Sequence, residues 1–190
     1  CIAGREHEFK SNFLQALAYA ETLNCQRIHV MAGLAPKDVT LELLKDTYQR
    51  NLAWAAEQAH AAGRDVLIEP INTRDMPGYF LNYQSQAHHI VAQIGAPNLK
   101  VQMDLYHCQI MEGDVTTKIR QYLPTGRVGH FQIAGVPLRH EPNTGELNDS
   151  HVFDVIDEVS ATCDWQGWIG CEYRPAHGTS AGLGWLNKAA

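Results

Sequence analysis

Four residues with oxygen-bearing side chains stand at the ends of short apolar runs in this chain. Glu69 follows Val66-Leu-Ile68, Asp104 follows Leu99-Lys-Val-Gln-Met103, Gln132 lies near the end of Arg127-Val-Gly-His-Phe-Gln-Ile133, and Glu172 follows Trp168-Ile-Gly-Cys171. Three carboxylates and an amide oxygen, with no thiolate or imidazole among them, make a hard donor set that suits Mg²⁺ or Mn²⁺ better than Zn²⁺. Three like charges brought together in a low-dielectric place are costly unless a cation offsets them. A divalent ion chelating a carbonyl and the neighbouring hydroxyl oxygen of a substrate acidifies the C–H beside them. A carboxylate with a free oxygen can then move that proton to the adjacent carbon. Each residue alone is as easily a solvated loop carboxylate, or for Gln132 a core amide. The argument rests on the repetition.

Other residues extend the set. His107, three residues after Asp104, is expected near a substrate oxygen, although a lone histidine is as easily structural. Asn72 and Asp75 occupy the loop after Glu69. Arg139 lies in the long loop after Gln132, where its planar fork could hold a substrate carboxylate; a surface arginine is the commoner case. His88 and His89 sit in a helical stretch without evident chemistry. Cys171 is expected to be a small packed residue, since no base is placed to activate it.

The elements that must position these residues follow from periodicity. Phe9, Phe13, Leu14, Leu17, Ala20 and Leu23 recur at helical spacing over roughly 5–24, and a strand at Arg27–Met31 follows. A helix starts near Asp38–Thr40, carries Leu43, Leu44, Tyr48, Leu52, Ala55 and Ala59, and stops at Ala61-Ala-Gly63. The unbroken run Val66–Ile68 suits a parallel strand covered on both faces, and Pro70 ends it by removing a donor. Further helices are expected over about 85–94, 115–122 and 151–162, the last burying Val152, Val155, Ile156 and Val159. A loop from Ala134 to Asp149 and a Gly-rich tail complete the pattern. Five strands alternating with helices form the βα repeat of a parallel α/β fold. No GxGxxG or GxxxxGK[ST] sequence supports a nucleotide-binding sheet. In an α/β barrel the strands' C-terminal ends carry the chemistry, and neighbouring strands lie about 5 Å apart, so the four residues are expected to converge.

A (β/α)8 barrel normally takes about 250 residues, and this chain has 190. We expect one barrel domain over residues 1–190 that holds about five C-terminal βα units and lacks the first ones. Position 1 is Cys rather than Met, which agrees. The strands at Arg27–Met31 and Trp168–Cys171 would then be open edges, expected either to leave an open, C-shaped half-barrel or to be covered by another copy of the chain or by the rest of a longer molecule. The net charge of −6 speaks against a nucleic-acid surface, which would carry a basic stripe. The five widely spaced cysteines without a CxxC are expected to be reduced thiols of a cytoplasmic protein. No apolar run approaches the roughly 18–20 residues of a membrane span.

Taken together, Leu67-Ile-Glu-Pro-Ile-Asn-Thr73, Gln102-Met-Asp-Leu-Tyr-His107, Gly129-His-Phe-Gln-Ile133, Arg139-His-Glu-Pro142 with Gly145-Glu146, and Gly170-Cys-Glu-Tyr-Arg-Pro175 resemble the hydroxypyruvate isomerase family of the xylose-isomerase-like barrels. The resemblance runs from Gly4-Arg5 to Gly182-Leu-Gly-Trp185. It implies a divalent metal held by Glu69, Asp104, Gln132 and Glu172, with Glu69 and Glu172 as proton donor and acceptor. It implies substrate contacts from His107, Arg139 and Asn72. Gln at the third ligand position separates this group from the sugar epimerases of the superfamily, which have His there. The implied reaction interconverts hydroxypyruvate and tartronate semialdehyde through an enediolate. A four-carbon acid such as 2-oxotetronate would use the same ligands. A metal-dependent phosphodiesterase of the endonuclease IV type, which needs several His ligands and a basic face, and a non-catalytic fragment are the other readings.

Overall fold

The computed structural model describes residues 1–188. They fall into two compact units, one from Cys1 to Gln102 and one from Met103 onward. The first contains α1 (Glu6–Thr22), β1 (Arg27–His29), α2 (Leu41–Ala61), β2 (Asp65–Ile68), α3 (Gln84–Ile94) and most of β3 (Leu99–Asp104). β1 and β2 run parallel, with Ile28 beside Val66 and His29 beside Leu67. β2 and β3 are also parallel, with Leu67 beside Lys100 and Ile68 beside Val101. The continuous apolar run that suggested a doubly covered strand is indeed buried throughout at Val66, Leu67 and Ile68.

Local chemistry explains the ends of these elements. The Thr40 hydroxyl accepts from the Leu43 amide at 3.3 Å and caps α2, satisfying one of the donors a helix start leaves unpaired. Gly95, at φ 71°, ends α3 in the left-handed conformation that a side chain disfavours. Asn98 is buried and donates to the carbonyls of Ala56 and Arg64, at 2.9 and 3.0 Å, tying the end of α2 and the entry of β2 to the entry of β3. The core of this unit is built from Phe13, Leu17, Tyr48, Leu52, Ile68, Leu81, Ile90 and Val101, among others.

Three hydrophobic residues counted into helical stripes lie outside that core. Leu14, Leu23 and Leu43 are exposed, while Leu44 beside Leu43 is buried. A 3.6-residue period leaves about one residue of uncertainty at the margin of a face, and α2 turns Leu44 inward.

The second unit contains the end of β3, α4 (Leu105–Met111), α5 (Val115–Tyr122), β4 (Val128–Ile133), α6 (Asp149–Cys163) and β5 (Ile169–Cys171), followed by a 3-10 stretch over Ala181–Lys188. α4 is an element that periodicity did not predict: it has only seven residues and is buried on both sides of any stripe. β4 and β5 are parallel, with Gln132 beside Gly170 and Ile133 beside Cys171. The core here joins Met103, Leu105, Ile119, Phe131 and Ile133 to Val152, Val155, Ile156 and Val159, which is the stripe expected of α6. Trp165 packs edge-on against Phe131 and donates its indole N–H to the Val128 carbonyl at 2.9 Å, so its polar handle is satisfied. Among the described residues no helix is long and apolar enough to cross a membrane.

Candidate active site

Glu69 directly follows β2, buried. Its Oε2 accepts a hydrogen bond from Gln102 Nε2 at 2.9 Å, and His29 Nε2 stands 3.5 Å from the same oxygen. Strand alternation and register explain both contacts. His29 is level with Leu67, and Glu69 is two residues further along the same face of β2. Burial pushes the His29 imidazole down to about 4, so it is neutral at neutral pH. Asn72 is fully buried in the loop that follows. Its Oδ1 accepts from the Asp75 amide at 2.7 Å and its Nδ2 donates to Asp75 Oδ2 at 3.2 Å, a local turn of the kind Asx residues favour.

Asp104 is both the last residue of β3 and the N-cap of α4. Its Oδ1 accepts from the amides of Tyr106 at 2.8 Å and His107 at 3.1 Å. The same side chain therefore ends a strand and starts a helix, and the helix start points two donors at a carboxylate. Oδ2 is also buried and makes no hydrogen bond among the described residues. His107 Nε2 lies 3.9 Å from it. Burial is the main cause that pushes the Asp104 carboxyl up to about 6; the two amides and Arg139 act in the other direction, and the Glu172 charge adds to the rise.

Gln132 and Glu172 meet across the β4–β5 pair. Gln132 Nε2 donates to Glu172 Oε2 at 3.0 Å, which leaves the amide carbonyl as the atom able to ligate a cation. Gln132 lies one residue inside the end of β4, while Glu172 directly follows β5. Arg139 Nη2 reaches the same Glu172 oxygen at 2.9 Å, and the Arg139 guanidinium lies 5.0 Å from the Tyr106 ring centroid. Arg139 is therefore turned toward a carboxylate of the protein itself. Cys171 is exposed, contrary to the packed position expected for it, because the outward alternate of a three-residue strand is not covered.

The donor set can be tested for a divalent cation inside the second unit. A buried carboxylate oxygen without a donor, on a group whose neutral form burial favours, is what a cation site leaves when its counter-charge is missing. Asp104 Oδ2 meets that description, and Gln132 and Glu172 add oxygen atoms of the same hardness. The residues fit the ion.

A family model described as xylose isomerase-like TIM barrel matches residues 3–189. The chain belongs to that family. It is 56% identical over 185 residues to a 2-oxo-tetronate isomerase of Cupriavidus necator, an alignment covering 97% of this chain and 69% of the relative. It is 40% identical to the hydroxypyruvate isomerase of Escherichia coli, over 98% of this chain and 70% of that one. The solved structure titled AP endonuclease, family 2 from Brucella melitensis superposes with a TM-score of 0.92 at 43% identity, covering 98% of this chain and 70% of that one. As a member of this family with relatives named isomerases at these identities, the chain is an isomerase.

For a xylose isomerase-like barrel the strand C-terminal ends are where substrate chemistry is expected, and Glu69, Asp104, Gln132 and Glu172 stand at or next to such ends. His29, Gln102 and Tyr106 escaped notice. Gln102 was within reach of the sequence, because it lies two residues before Asp104 on the same strand and so shares its face. His29 could be found only once the register of β1 on β2 was known.

Proposed function

We propose that the chain moves a carbonyl between C2 and C3 of a small 2-oxo-3-hydroxy acid, interconverting hydroxypyruvate and tartronate semialdehyde by proton transfer through an enediolate. The observation that supports this best is the matching support of the two carboxylates. Glu69 has its Oε2 held by an amide from a neighbouring strand, and so does Glu172. An oriented carboxylate with one oxygen tied down presents the other in a defined direction, which is what a proton carrier between adjacent carbons needs. Glu172 keeps about half of its side chain exposed, so a substrate can reach it. In this reading Glu69 and Glu172 take and return the proton, and Glu69, Asp104, Gln132 and Glu172 hold Mg²⁺ or Mn²⁺. When bound, such an ion supplies Lewis acidity toward the two substrate oxygens. His107, buried beside Asp104, is assigned to the substrate's oxygen atoms and Asn72 to the wall of the pocket; Arg139, expected from sequence to hold the substrate carboxylate, is left out of that assignment because its guanidinium meets Glu172.

A four-carbon substrate is the second reading, favoured by the 56% identity to a protein named for 2-oxo-tetronate. The two acids differ only in the substituent on C3, so one ligand set serves both. The test is to incubate the protein with Mn²⁺ in D₂O and follow by NMR the exchange of the C3 proton of each acid. Exchange and product formation with hydroxypyruvate support the first reading, and faster turnover of 2-oxotetronate supports the second. No exchange with either acid, together with nicking of DNA at an abasic site, would overturn both in favour of the activity in the Brucella title.

A further inference from the structure

Arg139, His140 and Glu141 are consecutive, and they hold three alternating residues of the segment that leaves β5. Arg139 Nε donates to the Glu172 carbonyl at 3.3 Å while Nη2 meets the Glu172 carboxylate at 2.9 Å. The Arg174 amide donates to the Arg139 carbonyl at 2.7 Å, and His140 Nδ1 pairs with the Arg174 carbonyl at 2.8 Å. The Ala176 amide donates to Glu141 Oε1 at 3.0 Å. The spacing 172, 174, 176 is that of one edge of an extended strand. The three residues thus line the segment beyond β5, joined to it by the backbone hydrogen bond from the Arg174 amide and otherwise by their side chains.

The clamp is itself anchored. The Gly135 amide donates to the His140 carbonyl at 2.9 Å and the Arg139 amide to the Gly135 carbonyl at 2.8 Å. Arg139 takes a positive φ of 59°, a conformation that an ordinary side chain adopts only where its surroundings impose it. On its other face the guanidinium lies over Tyr106.

We infer that Arg139-His140-Glu141 is a positioning clamp for Glu172, which fixes the direction of that carboxylate rather than simply contributing a charge to the substrate. A substrate-binding arginine would keep its fork free. This one contacts both the main chain and the side chain of a single residue, and its neighbours hold Arg174 and Ala176 of the same segment. The functional weight of the clamp rests on the reading of Glu172 as a proton carrier.

Glu141→Ala removes the acceptor for the Ala176 amide without touching Glu172, and Glu141→Gln restores an oxygen there. Arg139→Lys keeps the charge but loses the planar fork. Three readouts apply to the full chain: amide hydrogen exchange at residues 172–176, the ¹³C signal of the Glu172 carboxyl (assigned by its loss in Glu172→Gln), and steady-state kinetics with the 2-oxo acid. Glu141→Ala is expected to raise exchange at Ala176 at least about tenfold, to move the Glu172 signal toward that of a solvated glutamate, and to lower kcat more than it changes KM. Glu141→Gln should recover all three. Arg139→Lys should move the carboxyl signal in the same direction. Unchanged exchange and an unchanged Glu172 signal in Glu141→Ala overturn the clamp, whatever the activity. A raised KM with intact kcat and an unmoved Glu172 signal in Arg139→Lys overturns it in favour of substrate binding. If the signal moves and exchange rises while turnover stays intact, the clamp stands and the proton-carrier role of Glu172 fails.

Discussion

Replacing Asp104 by Asn in metal-free protein should stabilise the fold above pH 6 and remove its response to a divalent cation. The carboxyl is about 1% exposed, and burial moves it from an ordinary value of 3.8 up to about 6. A group whose folded-state pKa is raised binds its proton more tightly in the folded chain, so the folded state is disfavoured as pH climbs through the interval between the two values. The shift is about two units, and one unit corresponds to about 1.4 kcal/mol, so the cost at pH 7 is about 3 kcal/mol. Asn keeps the Oδ1 acceptor that caps α4 and carries no charge to bury. The measurement is denaturant unfolding of both proteins in EDTA at pH 4 and pH 8, analysed as the difference between them. The difference is needed because His29 acts in an overlapping window with the opposite sign. Its folded value of about 4 lies below the ordinary 6.5, so its contribution is present above pH 6.5 and lost as pH falls toward 4. The Asn protein should gain on the wild type by about 2.5 kcal/mol between pH 4 and pH 8, since at pH 4 the unfolded carboxyl is already more than half ionised, and added Mn²⁺ should stabilise only the wild type. A difference that stays flat across this range would refute the claim that Asp104 carries an uncompensated buried charge. Equal stabilisation of both proteins by Mn²⁺ would refute its place in the cation site.

Gln132→Leu should weaken Mn²⁺ binding by about 10–100-fold in calorimetry while both proton-carrying carboxylates remain. Glu172→Gln retains an oxygen ligand but no base, so with saturating metal its kcat should fall by about 10²–10⁴-fold; near-normal turnover would remove it from the mechanism. Gly145→Ala would drive a methyl group into the Val136 backbone, which cannot rotate away. A loss of about 1–3 kcal/mol, seen as a thermal midpoint several degrees lower, is expected, and an unchanged midpoint would show that the loop yields. EDTA treatment should abolish isomerisation and Mn²⁺ should restore it; full activity in chelator would sink the metal reading.

Periodicity and composition made the succession of elements legible. The apolar runs at 66–68 and 99–103 and the stripe Val152, Val155, Ile156 and Val159 are local signals, since a residue's place in a helix face or strand face depends on spacing along the chain alone. Breaks such as Pro70 and Gly95 act locally too, and that is why Glu69 and Glu172 were found just past the ends of their strands, Asp104 at the end of its own and Gln132 one residue inside. The short helix α4 was hidden because its start depends on Asp104 capping it, which reads in sequence only as a strand ending. Partners were not legible at all. Which side chain meets Glu69 depends on the register of β1 and β3 on β2, a contact between residues more than thirty positions apart, and that register brings in His29 and Gln102. Arg139 could be placed in a loop from its sequence, but only the folded chain turns its fork onto Glu172, because the hydrogen bond from the Arg174 amide to the Arg139 carbonyl holds the loop beside that segment. Local spacing determines which face a residue occupies, and long-range register determines what it touches.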